Sequence, residues 1–120
     1  MAGAEHRGFD QPDGVREMPF GHGDIINIGG TQILKMVLQP GWKWSEHVKP
    51  IAKTELCEAP HFQVLLSGTM GVRMADGTEF EVAAGEVSIL PPGHDAWVIG
   101  DEPVVAIDWG AAHVWATAAP

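Results

Sequence analysis

The chain has no tyrosine, one cysteine, and only 7 lysines and arginines against 16 aspartates and glutamates. Without tyrosine there is no phenol to serve as an acid or base. The single cysteine, Cys57, excludes an internal disulfide. A formal net charge of −9, with the few basic residues scattered, argues against a nucleic-acid partner, which would call for a basic stripe. An acidic surface that keeps a small protein soluble is the simpler reading. No apolar run approaches the ~18 residues of a membrane span. The stretch Met1-Ala-Gly-Ala-Glu-His-Arg7 lacks the apolar run of a signal peptide, so the expectation is a cytoplasmic protein with no membrane partner. No Gly-x-Ser-x-Gly elbow surrounds Ser45, Ser67 or Ser88, and no glycine-rich turn opens a helix to cradle phosphate.

What is present suits a turn-rich β protein. Hydrophobic residues make up 45% of the chain, alongside 15 glycines and 9 prolines. A length of 120 residues fits one domain with a single core, expected over about residues 31–109, with residues 1–19 as a loose arm or an edge strand. Asp24–Ile28, the pair Gly29-Gly30 and Thr31–Leu38 read as a hairpin. Trp42 to Val48 alternates and is predicted as a strand, with Lys43, Ser45 and His47 on one face. A loop carrying Cys57 follows. Further strands are predicted at 61–66, 72–74, 79–82, 86–90, 96–99 and 104–109, and a small-residue tail ends the chain, with a short helical turn around Trp115.

Two half-motifs lie at barrel spacing. The first is Gly41-Trp-Lys-Trp-Ser-Glu-His47, followed by His61 and Gly68; the second is Gly85-Glu-Val-Ser-Ile-Leu-Pro91-Pro92-Gly93-His94. Together they resemble the two motifs of the cupin superfamily over roughly residues 31–109. The run from Pro91 through His94-Asp95-Ala96-Trp97 is similar to a subgroup of small single-domain bacterial cupins. The resemblance implies an all-β fold, an antiparallel β-barrel of the double-stranded β-helix or jelly-roll type. It also implies one divalent transition metal (Fe, Cu, Mn or Zn) at the barrel mouth. His47 falls on the first ligand slot of the family and His61 on the glutamate slot. Lys49 and Ala96 occupy positions where the family carries histidine.

His47 and His61 are therefore the expected pair of ligands, with His94, Cys57 or Gln63 completing the sphere. Imidazole suits Zn, Cu, Fe or Ni, and a thiolate selects soft-tolerant ions such as zinc. Gln63 shares a strand face with His61 and is expected to ligate or to touch substrate. Lys49 is expected either to pair with an anionic substrate or to leave the barrel for solvent. Function is read first as a metal-dependent enzyme, of oxidoreductase or oxygenase type, acting on a small organic substrate. Isomerase or lyase chemistry and a non-catalytic small-ligand module stand beside it. Trp42 and Trp44 add a third reading, copper- or iron-dependent oxidation or binding of a carbohydrate on an indole platform. Their other reading is the seam of a homodimer.

Overall fold

The computed structural model describes residues 3–117 and contains nine strands and two single-turn helices. The strands are β1 (Gly14–Met18), β2 (Gly21–Ile28), β3 (Thr31–Leu38), β4 (His61–Ser67), β5 (Thr69–Met74), β6 (Glu79–Ala83), β7 (Val87–Leu90), β8 (His94–Ile99) and β9 (Val104–Asp108). They form a six-stranded sheet in the order β1-β2-β3-β9-β4-β7 and a three-stranded sheet in the order β6-β5-β8. All pairings are antiparallel. The N-terminal region is thus part of the larger sheet from Gly14 onward, with β1 at its edge.

Period-two alternation decides which side chains meet between the sheets. Leu34, Met36 and Leu38 of β3, Val104 and Ala106 of β9 and Leu65 of β4 face Met70 and Val72 of β5 and Ala96 of β8 in one core. Towards one end the same inward positions turn polar: His61 and Gln63 on β4, Asp108 on β9 and His94 on β8 are all buried. Register brings these strands side by side, since Gln63 pairs with Asp108 on one flank and with Ser88 on the other. An apolar barrel with a polar end is the frame on which the site is built.

The strand predicted over Trp42–Val48 is replaced by helix. α1 (Trp44–His47) and α2 (Lys49–Ala52) follow one another, separated only by Val48. Trp44, Val48 and Ala52, four residues apart, are all buried, and this helical period overrides the two-residue alternation at its start. Tertiary hydrogen bonds fix the segment: Ser45 N–H donates to Asp95 Oδ1 at 3.0 Å, and Val98 N–H donates to the Trp42 carbonyl at 3.0 Å. Trp42 and Trp44 are each only 2% exposed. Neither an indole platform for sugar nor a dimer seam at these tryptophans is consistent with that burial, and both expectations are corrected.

Gly68 makes the tight turn between β4 and β5. Its φ is +78°, and a Cβ there would lie 2.5 Å from the Pro103 carbonyl oxygen and 2.9 Å from Val104 Cα. Gly77 has a similar φ of +91° but open space around it. Gly77→Ala is therefore expected to lose only the left-handed conformational cost, about 1–2 kcal/mol. Gly68→Ala adds a backbone clash and is expected to lose clearly more, as read from urea unfolding. Equal losses would contradict this account of the turn.

Candidate metal centre

Three donor side chains converge at the polar end. Ligating atoms of Cys57, His61 and His94 all lie within 4.8 Å of one another, and all three residues are buried. His61 begins β4 and places Nε2 3.8 Å from Cys57 Sγ. Its ring meets that of His94 edge-on, with centroids 5.1 Å apart. Cys57 sits in the loop before β4, but the loop is not free. Cys57 and His94 form an isolated antiparallel bridge, with Cys57 N–H donating to the His94 carbonyl at 2.8 Å and Gly93 N–H donating to the Cys57 carbonyl at 2.7 Å. The turn Pro91-Pro92-Gly93, with Gly93 at φ +96°, thereby carries both His94 and its neighbour Cys57 into place.

Both imidazoles are oriented by a second partner. His61 Nδ1–H donates to Asp108 Oδ2 at 2.5 Å, and His94 Nδ1–H donates to the Pro91 carbonyl at 3.0 Å. With Nδ1 engaged, each ring has Nε2 left as its ligating atom. Asp108 is fully buried, and its other oxygen accepts from the N–H groups of Gly110 (2.8 Å), Ala111 (3.1 Å) and Phe62 (3.3 Å). A carboxylate holding a ligating histidine by its far nitrogen is the arrangement that fixes tautomer and aim in metal sites.

Burial acts in opposite senses on two of the donors as ligands. Burial pushes the Cys57 thiol up to about 12, and the nearby carboxylates of Glu58, Asp108 and Asp95 add to the effect. Burial, then the neighbouring His61, lowers His94 to about 4. Near neutral pH the cluster thus presents a neutral imidazole at His94 and a thiol that a cation would have to deprotonate.

Beside the donors lies a small cavity of about 20 Å³, lined among others by Trp42, Gln63, Cys57, His61, His94 and Trp115. That is room for one water-sized ligand. Two of its lining residues each carry a buried polar atom without a hydrogen-bond partner among the described residues, Gln63 Oε1 and Trp42 Nε1. Gln63 is otherwise held by its amide, which donates to Ser88 Oγ at 3.4 Å. An unpaired acceptor and an unpaired donor on residues lining the same small space, next to a Cys/His/His set, fit a metal ion with one further oxygen ligand. A larger pocket of about 370 Å³ lies outside and shares Trp44, Cys57 and Trp115 with the inner cavity. The Trp115 indole, 2% exposed, belongs to the wall between them.

The structure brings together three of the residues expected from sequence, Cys57, His61 and His94, and sets Gln63 beside them. It does not bring His47 or Lys49 to the cluster. His47 lies on α1, where its Nδ1 accepts from Lys43 N–H at 3.0 Å and its ring packs against Phe20 with centroids 4.8 Å apart. It caps the start of its own helix, a consequence of the helix that replaced the strand. Lys49 pairs with Glu55 at 3.0 Å on the outside of α2. Asp108 and Trp115 were not singled out from sequence. Asp108 had a readable signal: counting inward positions Val104, Ala106 and Asp108 along β9 puts a carboxylate on an apolar face.

Comparison of the sequence with protein-family descriptions and with curated proteins finds no match in either. Solved structures do match. A cupin-like protein from Thermotoga maritima aligns with a TM-score of 0.54 at 16% identity, covering 78% of this chain and 71% of that one. A conserved protein with a double-stranded β-helix domain from Klebsiella pneumoniae gives a TM-score of 0.54 at 17% identity, covering 78% and 73%. A protein of unknown function from Rhizobium leguminosarum gives 0.57 at 18% identity, covering 77% and 81%. The chain therefore has an all-β, cupin-like fold, and at these identities the likeness extends to the fold alone. No helix among the described residues is long and apolar enough to cross a membrane.

The lowered pKa of His94 has a consequence for stability. Unfolded, the imidazole takes up its proton near pH 6.5, whereas folded it does so only near pH 4. Between these values the unfolded chain binds more protons, so stability is full above about pH 6.5 and falls as the pH drops towards 4. The shift corresponds to roughly 3 kcal/mol for the metal-free protein. Chemical denaturation at pH 7 and pH 4.5 is expected to show this loss in the wild type and a smaller one in His94→Gln. Identical pH slopes in the two proteins would contradict it.

Proposed function

We propose that this protein is a metal-binding cupin in which Cys57, His61 and His94 hold one divalent transition ion, and that it serves metal-dependent chemistry on a small organic molecule. The observation that carries this reading is the convergence of three buried donors beside a water-sized cavity whose lining residues carry an unpaired Gln63 Oε1 and an unpaired Trp42 Nε1. One thiolate and two imidazoles favour zinc over Mn or Mg, whose preference is for oxygen. Zinc has no redox chemistry, so what it would supply is polarisation of an oxygen atom. That turns the reading from oxygenase chemistry towards isomerase, lyase or related Lewis-acid work. Iron or copper in the same site would restore the oxidative alternative. The Pro91–Trp97 run, which places His94 and lines the cavity with Ala96, is on this reading the mark of a subgroup that has exchanged the family's usual ligand set for Cys/His/His.

Cavity size separates the ligand from the substrate. The inner space admits one small oxygen ligand, so an organic substrate belongs in the outer pocket, which shares Cys57 and Trp115 with the inner space. On this reading the unpaired Trp42 N–H would donate to the small ligand and Gln63 Oε1 would accept from it. A thiol kept reduced for metal binding also fits the cytoplasm better than an oxidising compartment.

The test is metal content and affinity of variants, measured by elemental analysis and competitive titration. Wild type is expected to hold one equivalent of zinc. Cys57→Ser, His61→Ala and His94→Ala are each expected to weaken binding about 100-fold or more. Asp108→Asn should weaken it by about 10–100-fold, because His61 loses its orienting carboxylate. His47→Ala is expected to keep the full equivalent. A wild type without bound or titratable metal, or ligand variants that still hold a full equivalent, would overturn the assignment.

A further inference from the structure

One sheet face departs from the inside-apolar, outside-polar rule. The outward positions of β4, β7 and the end of β9 carry Phe62, Val64, Leu66, Val87, Ile89 and Trp109. Register sets Phe62 opposite Ile89 and Val64 opposite Val87, and the Phe62 and Trp109 rings lie 6.1 Å apart. The patch is open: Ile89 is 73% exposed, Val87 64%, Leu66 57%, Phe62 50% and Trp109 48%. No outward position of β4, β7 or β9 bears a charge. Among the described residues, the N-terminal segment contacts the neighbouring part of the same sheet: Lys35 Nζ of β3 lies 5.8 Å from the centre of the Phe9 ring, and Arg7 donates to the Asn27 carbonyl of β2.

We infer that this face is where two copies of the chain pack, sheet face against sheet face about a two-fold axis. Aromatic side chains present roughly 150–250 Å² each and the aliphatic ones here less, so these exposures leave on the order of 500 Å² of apolar surface. That is near the upper end for a monomer, where such patches are about 300–600 Å². Two copies together would bury about 1,000 Å², the threshold of a specific interface, before any polar rim is added. Charge on this face does not oppose a second copy. With a net charge of −9, copies repel wherever carboxylates meet, and this face sets none against another. Face packing is preferred to edge pairing, because β7 at the sheet edge is only four residues long and offers few main-chain hydrogen bonds. The seam expected at Trp42 and Trp44 thus moves to the opposite side of the sheet, and it does so independently of any metal.

Sedimentation equilibrium of the full chain from about 1 to about 100 μM tests it. Wild type is expected to be a dimer in this range. Ile89→Glu and Phe62→Glu, both at exposed positions the fold tolerates, are expected to weaken association about 100-fold while circular dichroism is unchanged. Phe80→Glu, on β6 of the other sheet, is expected to leave it intact. A monomeric wild type at the top concentration would overturn the proposal and leave the face to a different partner. Undiminished association of Ile89→Glu and Phe62→Glu would overturn it equally.

Discussion

A single buried carboxylate ties the parts of this molecule together. Asp108 has no exposure to solvent, and burying an ion costs several kcal/mol unless its oxygens are satisfied. Here they are. One oxygen takes the His61 Nδ1–H, and the other takes N–H groups from Phe62, Gly110 and Ala111. Those partners belong to β4 and to the turn after β9, so Asp108 clamps two neighbouring strands to the segment that leaves the barrel. That segment leads into the turn at Ala111, where Trp115 N–H donates back to the Ala111 carbonyl. The aim of His61 and the position of the Trp115 indole therefore share one anchor.

The rest of the site is built by backbone geometry rather than by side-chain charge. Gly93, in a left-handed conformation, lets the Pro91-Pro92 turn fold back so that His94 pairs with Cys57. A loop cysteine without a regular strand of its own is thereby held against His94 by main-chain hydrogen bonds. The same turn sets His94 two residues ahead of Ala96, and both residues line the small inner cavity. Proximity of like groups matters as well. Burial, with His61 alongside, disfavours protonation of His94, which a divalent cation would reinforce; burial and the nearby carboxylates disfavour the Cys57 thiolate, which a divalent cation would reverse.

Much of this was legible in the residues. The hairpin through Gly29-Gly30 was readable because two positive-φ residues admit little else, and the strands from His61 onward followed from alternation and turn glycines. Convergence of His61 with Cys57 and His94 was legible only as a set of alternatives, because the spacing of a loop residue in sequence does not specify its distance in space. His47 was misplaced for a physical reason. Trp42 and Trp44 alternate like a strand, but Trp44, Val48 and Ala52 bury better as one helical stripe, and tertiary packing outweighed local pattern. Asp108 could have been found by following the inward parity of β9. Trp115 could not, because nothing in a small-residue tail says which way its one indole will turn.

The most direct test of the central claim is X-ray absorption at the metal edge of the reconstituted wild-type protein. A site of Cys57, His61 and His94 with one oxygen ligand is expected to show a single sulfur neighbour at about 2.3 Å and nitrogen or oxygen neighbours at about 2.0–2.1 Å. A first shell of light atoms alone, with no sulfur, would contradict the assignment of Cys57 and with it the Cys/His/His centre.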